Sequence, residues 1–132
     1  MNGDTLLHRQ VPPAHYNPHE EGMIARAVFL PRPRDKGLLS VHHNKDGFSA
    51  KDAYLHYISI RGCTSKGTVS VSVEECQKTG WSLPVRDDPR PGNPHHAVID
   101  FNQISEKNWK IVAEMLKEYA GKRSWSYGPV PD

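Results

Sequence analysis

The sequence predicts an α+β fold, in which a mixed or antiparallel sheet of about five strands and two main helices form a single domain over residues 1–132. Residues 67–73, GTVSVSV, alternate strictly between valine and a smaller residue, which is typical of a half-buried strand. Near the C-terminus, Trp109, Val112 and Leu116 recur on one face of a helix. A doubly wound fold would require strands and helices to alternate regularly, and the N-terminal half shows no such order.

Three strands are predicted before residue 45. Residues 5–11, TLLHRQV, alternate between apolar and polar side chains and predict the first strand. Residues 23–30, MIARAVFL, are apolar except for Arg26 and predict a second strand. Residues 37–42, GLLSVH, form a short apolar run of the length expected for a buried strand.

Capping patterns predict where two helices begin in the middle of the chain. A helix is expected at residues 49–61, because Ser49 is followed three residues later by Asp52, as in a capping box. The same spacing of serine and glutamate in residues 72–75 predicts one or two helical turns that end at Gly80.

The C-terminal third predicts a strand followed by the longest helix. Residues 96–101, HAVIDF, predict a strand. Ser105 is the expected N-cap of a helix that ends before Gly121. Residues 124–128 predict a final short strand, and the proline-rich residues 87–94 predict an exposed loop.

Composition excludes several classes of protein. No apolar run is long enough for a membrane span, and the mean hydropathy is −0.68. The first ten residues lack the apolar segment of a secretory signal, so a cytoplasmic location is expected, with Cys63 and Cys76 reduced. The net charge of +2 is too small to argue by itself for nucleic-acid binding.

Two doubled histidines, at residues 42–43 and 95–96, raise the question of a metal site. Adjacent residues on a strand point to opposite faces of the sheet, so only one histidine of each pair could face the other pair. Metal ligands usually recur at i, i+2 on a strand or i, i+4 on a helix, with a third ligand nearby, and the sequence lacks this arrangement. We therefore expect no metal.

A second hypothesis is that these histidines lie beside arginine in a cleft that binds an anion. Arginine offers a fork of donors and histidine offers one or two, which suits an anionic ligand bound where strand ends meet. Arg9 and Arg26 interrupt apolar strand patterns, so each either faces solvent or serves such a site. Arg9 is expected either to pair with a carboxylate such as Asp100 or to line the cleft. The candidate ligand-binding residues are His8, Arg9, Arg26, His42, His43, His96 and Asp100.

Four segments resemble the recurring blocks of a family of small uncharacterised bacterial proteins. They are LLHRQVPPAHY at 6–16, DKGLLSV at 35–41, FSAKDAY at 48–54 and HHAVIDF at 95–101. The resemblance implies a bacterial, cytoplasmic domain and carries no activity with it.

The order of elements also resembles small ADP-ribosyltransferase-like and RES-type NAD-consuming domains. That resemblance implies that a first-strand His8 or Arg9 holds NAD and that Tyr54 or Tyr57 stacks on the nicotinamide. It further implies that Glu74 or Glu75 orients the ribose. The chain departs from the pattern, since the tyrosines lie on a predicted helix and the glutamates at a helix start.

Three functions follow as hypotheses. The favoured one is a non-catalytic interaction or regulatory module, such as an immunity, antitoxin or operon accessory protein, with another protein as partner and no cofactor. The alternative is an ADP-ribosyltransferase-like domain that binds NAD or another nucleotide in a His/Arg-lined cleft. The third is weak nucleic-acid binding, which 15 acidic against 17 basic residues disfavour. Its candidate residues are Arg32, Arg34, Lys122, Arg123, Trp125 and Tyr127.

The expectation of no metal is directly testable. Purified protein should contain less than about one tenth of an equivalent of zinc, and EDTA should leave its melting temperature unchanged, because structural zinc contributes on the order of 10 kcal/mol to folding. Stoichiometric zinc, measured by mass spectrometry of the metal, would contradict this expectation.

Overall fold

The structure is a computed structural model that describes residues 1–20 and 23–131. Its strands are β1 (Leu6–Gln10), β2 (Tyr16–Asn17), β3 (Met23–Ile24), β4 (Leu38–His43), β5 (Thr68–Ser72), β6 (Val85–Asp87) and β7 (His96–Asp100). Five of them form one antiparallel sheet in the order β5-β1-β4-β7-β6, while β2 and β3 pair with each other. The predicted α+β class is confirmed.

Three α-helices accompany the sheet in the described residues: α1 (Ala50–Leu55), α2 (Val73–Gln77) and α3 (Trp109–Arg123). Both predicted capping boxes are confirmed. The Asp52 backbone N–H donates to Ser49 Oγ at 3.1 Å, and the Ser49 N–H donates to Asp52 Oδ2 at 2.9 Å. None of the helices in the described part of the chain is long and apolar enough to span a membrane.

Helix α1 continues into a π-helical turn at His56–Ile60. The predicted helix at 49–61 is therefore confirmed in position, but its second half is wider than an α-helix. Such turns are rare and often occur at functional sites. Here the turn carries Tyr57 and precedes Arg61.

The two faces of the sheet differ in polarity. Leu7 lies opposite Val71, and Leu39 opposite Ile99, on a face covered by α3 and by the turn at Arg26–Phe29. Burial of these apolar side chains supplies the main driving force for folding. The other face, covered in part by α1, is largely polar and carries His8, Gln10, His42, Thr68, Ser70 and His96.

The predicted strand at residues 23–30 is wrong. Within this segment only Met23–Ile24 belong to a strand, and Arg26–Phe29 form a 3₁₀ turn. The turn buries the neighbouring side chains of Val28 and Phe29 together, whereas a strand would point them to opposite faces. Continuous apolar runs without alternation do not distinguish these two conformations.

The remaining differences concern element ends. β6 (Val85–Asp87) was not predicted, and its last residue overlaps the loop expected at 87–94. The expected strand at 124–128 is reduced to one bridge between Tyr127 and Thr68. A 3₁₀ turn at Glu106–Asn108 precedes α3, and α3 continues through Gly121 to Arg123.

Trp109, at the start of α3, joins the helix to the end of β7. Its indole Nε1–H donates to the carbonyl oxygens of Phe101 and Ile104 at 3.1 and 3.0 Å, and its ring meets the Phe101 ring edge-on. The side chain is half-buried against the core. It is thus a packing anchor as well as a donor.

We predict that Trp109→Ala lowers the free energy of unfolding by about 3 kcal/mol, since it removes ring packing and both hydrogen bonds. Trp109→Phe keeps most of the packing and should cost about 1 kcal/mol. Urea denaturation followed by circular dichroism measures both values. Equal stability of the two variants would show that ring packing does not anchor α3.

Candidate functional site

The sheet splits between two of its central strands. β1 pairs with β5 through all five of its residues, but with β4 only through Leu7–His43 and His8–His42. Beyond these two pairs β1 and β4 separate, and a cleft of about 280 Å³ opens there. We call it the arginine cleft, because Arg9, Arg32, Arg34 and Arg61 line it.

Arg9 lies where the strands part. Its Nε–H donates to the Val28 carbonyl oxygen at 2.7 Å and its Nη1–H to the Ser40 carbonyl oxygen at 3.0 Å. Burial lowers the pKa of Arg9 to about 10, so it remains a cation at neutral pH. Of the two predicted outcomes for Arg9, the structure shows cleft lining, while the Asp100 carboxylate pairs with Arg86 at 2.6 Å.

Three further arginines form the rim of the cleft. Arg32 and Arg34 come from the segment before β4, and Arg61 follows the π turn; all three are exposed. Among the side chains that the structure describes, no carboxylate forms an ion pair with them or with Arg9. Asp35 is the one carboxylate among the described lining residues, and its Oδ2 accepts the Arg32 backbone N–H at 2.9 Å. The cleft therefore has a strongly positive rim.

Three histidines from neighbouring strands form the floor. His8 lies opposite His42, and His42 opposite His96, so the three share the polar face of the sheet. All are buried, with 3%, 7% and 3% of their surfaces exposed. Burial lowers the pKa of His8 and of His42 to about 4, and it lowers the pKa of His96 as well. The floor is thus neutral at pH 7, and the positive charge resides on the arginines.

The loop at residues 88–95, the histidine loop, holds the side chains of the floor from one side. His42 Nε2 lies 2.8 Å from Asn93 Oδ1, and His96 Nδ1 lies 3.0 Å from the Asp88 carbonyl oxygen. His56, on the π turn, reaches the Gly92 carbonyl oxygen at 3.1 Å. A segment predicted from its prolines to be a simple exposed loop therefore contacts buried histidines.

The cleft brings together some of the sequence-predicted site residues and leaves others apart. His8, Arg9, His42 and His96 line it. The other candidates lie elsewhere: Arg26 is exposed on the 3₁₀ turn, His43 contacts Asp87 at 3.2 Å on the apolar face, and Asp100 pairs with Arg86. Arg26 stood out because it interrupted an expected strand, and that strand is absent.

Sequence reasoning missed much of the rim. Arg32 and Arg34 were candidates only for nucleic-acid binding, and neither Arg61 nor Asp35 was predicted as a site residue. The available signal was the dense P-R-P-R-D run shortly before a strand, but nothing in the sequence indicates that this run faces the end of the helix predicted at 49–61.

The residues implied by the NAD-consuming resemblance are not assembled in one place. Tyr57 lines the cleft, whereas the Tyr54 ring packs against Tyr127 at 5.0 Å. Glu74 pairs with Lys78 and Glu75 with Arg123, both on α2 and outside the cleft lining. The stacking residues of the nucleic-acid hypothesis are also engaged, since Trp125 meets Tyr16 edge-on at 5.7 Å.

Within the part of the chain that the structure describes, no three histidine, cysteine or acidic side chains are grouped to hold a metal ion. Comparisons with protein-family models, curated proteins and solved structures found no match to this chain.

The buried histidines predict a pH dependence of stability. In the unfolded chain a histidine binds a proton below about pH 6.5, whereas in the folded protein His8 and His42 do so only near pH 4. The free energy of unfolding is therefore highest above pH 6.5 and decreases as the pH falls from 6.5 to 4. Each such histidine should lower the unfolding free energy by about 2 kcal/mol between pH 6.5 and 5, since one proton contributes about 1.4 kcal/mol per pH unit.

His42→Gln tests this assignment, because the amide can replace Nε2 toward Asn93 without titrating. Urea unfolding at pH 7.5, 6.5, 5.5 and 5.0 should show a shallower decline for the variant than for the wild-type protein. Parallel declines would contradict a depressed pKa at His42.

Proposed function

We propose that this chain binds a ligand that carries phosphoryl groups, such as a nucleotide, in the arginine cleft. The observation that supports this proposal is the convergence of four arginines, without ion-pair partners among the described residues, on one cleft that contains a single carboxylate. Uncompensated positive charge in a concave site raises the local concentration of anions.

The fixed orientation of the Arg9 guanidinium favours binding of a phosphoryl group over a diffuse counterion. Two of its five N–H donors are used on carbonyl oxygens of Val28 and Ser40, which fixes the guanidinium plane. Its three other donors have no partner within the described residues. A fixed planar fork matches phosphate oxygens and loses little entropy on binding.

Ligand binding is better supported than the protein-partner hypothesis. The large exposed hydrophobic residues among the described ones are Met1, Leu55, Ile60, Trp81 and Ile111. They come from four separate parts of the chain, and exposed apolar residues are normal on protein surfaces, so they do not by themselves predict an interface. NAD remains within the proposed ligand class, but we do not propose ADP-ribosyl transfer, because Glu74 and Glu75 lie outside the cleft lining.

We predict that inorganic pyrophosphate and ADP-ribose at millimolar concentration raise the melting temperature, as a ligand at 100 times its dissociation constant adds about 2.7 kcal/mol. Arg61→Gln and Arg32→Gln should each weaken binding about tenfold, since a charge-assisted hydrogen bond contributes about 1.5 kcal/mol or more. Thermal-shift titration gives the dissociation constants.

Arg26→Gln is the matched control, because Arg26 is also an exposed arginine but lies outside the cleft. Its affinity should stay within about twofold of the wild-type value, as surface charges away from a site are screened by salt. Equal weakening by all three substitutions, or the absence of any shift with either anion, would contradict a site in the arginine cleft.

A further inference from the structure

We propose that the phosphorylated ligand also carries hydroxyl groups, as a sugar phosphate or a ribonucleotide does. This inference rests on the proposed function. The structure assigns two acceptors for these hydroxyls, His96 Nε2 and His42 Nδ1, on the floor of the arginine cleft.

The tautomer of His96 follows from its surroundings. Its Nδ1 lies 3.0 Å from the carbonyl oxygen of Asp88 and 3.1 Å from the carboxylate Oδ2 of the same residue. Both oxygens are acceptors, so Nδ1 carries the proton, and in the neutral ring Nε2 carries a lone pair. His96 lines the cleft, and its Nε2 has no hydrogen-bond partner among the described residues.

The tautomer of His42 is also fixed by its hydrogen bond, but in His42 the proton is on Nε2 and the lone pair on Nδ1. Its Nε2 lies 2.8 Å from Asn93 Oδ1, an amide oxygen that can only accept. Nε2 therefore carries the proton and Nδ1 the lone pair, again without a partner in the described part of the chain. His42 lies directly opposite His96 in the β4–β7 register, so the two acceptors belong to adjacent strands.

Lone pairs on a neutral floor select a particular kind of ligand. The oxygens of an ionised phosphoryl group are acceptors and would face these lone pairs unfavourably, while the arginine rim attracts them. Hydroxyl groups can donate to the floor and pair with acceptors that have no other hydrogen-bond partner among the described residues, and hydrogen bonds to such groups contribute to selectivity. A ligand with phosphate at one end and hydroxyls at the other satisfies both regions.

Two phosphate esters that differ only in their hydroxyls test this proposal. Ribose 5-phosphate and tetrahydrofurfuryl phosphate have the same ring and the same phosphate, but the second lacks the ring hydroxyls. By titration calorimetry at pH 7.5, ribose 5-phosphate should bind about tenfold or more tightly than its analogue, as expected for two hydrogen bonds.

Two variants separate the acceptors from the rest of each histidine. In His96→Asn the amide N–H can replace Nδ1–H toward Asp88, and in His42→Gln the amide N–H can replace Nε2–H toward Asn93. Each variant keeps this anchoring hydrogen bond and removes the ring, and with it the ring lone pair proposed to accept from the ligand. Each should reduce the preference for ribose 5-phosphate to about threefold or less and leave pyrophosphate affinity unchanged. Circular dichroism verifies the fold, and either variant alone is sufficient for the test.

The outcomes distinguish this inference from the function on which it rests. Equal affinity for the two esters, or variants that retain the full preference, would overturn the hydroxyl assignment while pyrophosphate binding still supported an anion site. A loss of pyrophosphate affinity in the variants would also overturn it, because the histidines would then serve the phosphate. If neither the esters nor pyrophosphate bind, both the proposed function and this inference are wrong.

Discussion

The hydrogen bonds of Arg9 hold together the part of the molecule on which the candidate site depends. Where the β1–β4 ladder ends, the Ser40 carbonyl oxygen accepts from the Arg9 guanidinium, and the same group reaches Val28 on the 3₁₀ turn. An unpaired buried carbonyl is costly, so an arginine at this point lets the strands separate without leaving that group unsatisfied. The separation of β1 from β4 is in turn what creates the cleft.

The cleft separates two kinds of polar group that occur close together in many anion sites. Its charge belongs to Arg9 and to the three arginines of the rim, which stay protonated at any physiological pH. Its floor consists of histidines that burial keeps neutral, with each of His42 and His96 held by the histidine loop. These hydrogen bonds decide which ring nitrogen of each histidine carries the proton. The histidine loop at 88–95 therefore determines which nitrogens of the floor can accept a hydrogen bond, although none of its residues lines the cleft.

Local patterns predicted most of the sheet and both capping boxes, since alternation and the S-x-x-D/E spacing report on nearest neighbours. They failed at Arg26–Phe29, where an apolar run without alternation folds as a turn, and at β6, where Pro84 and Pro89 flank a strand of three residues. The rule that adjacent strand residues face opposite ways correctly limited each histidine pair to one member on a shared face: His42 and His96 share it, and His43 does not.

The sequence by itself determined the fold class, the strands that carry His8, Arg9, His42 and His96, and the chemistry that these side chains can offer. The tertiary structure decided that β1 and β4 part after two pairs, and that the segment with Arg32 and Arg34 meets Arg61 across the gap. It also decided the tautomers of His42 and His96. These features depend on contacts between residues separated by tens of positions, and neither periodicity nor composition records which distant residues meet.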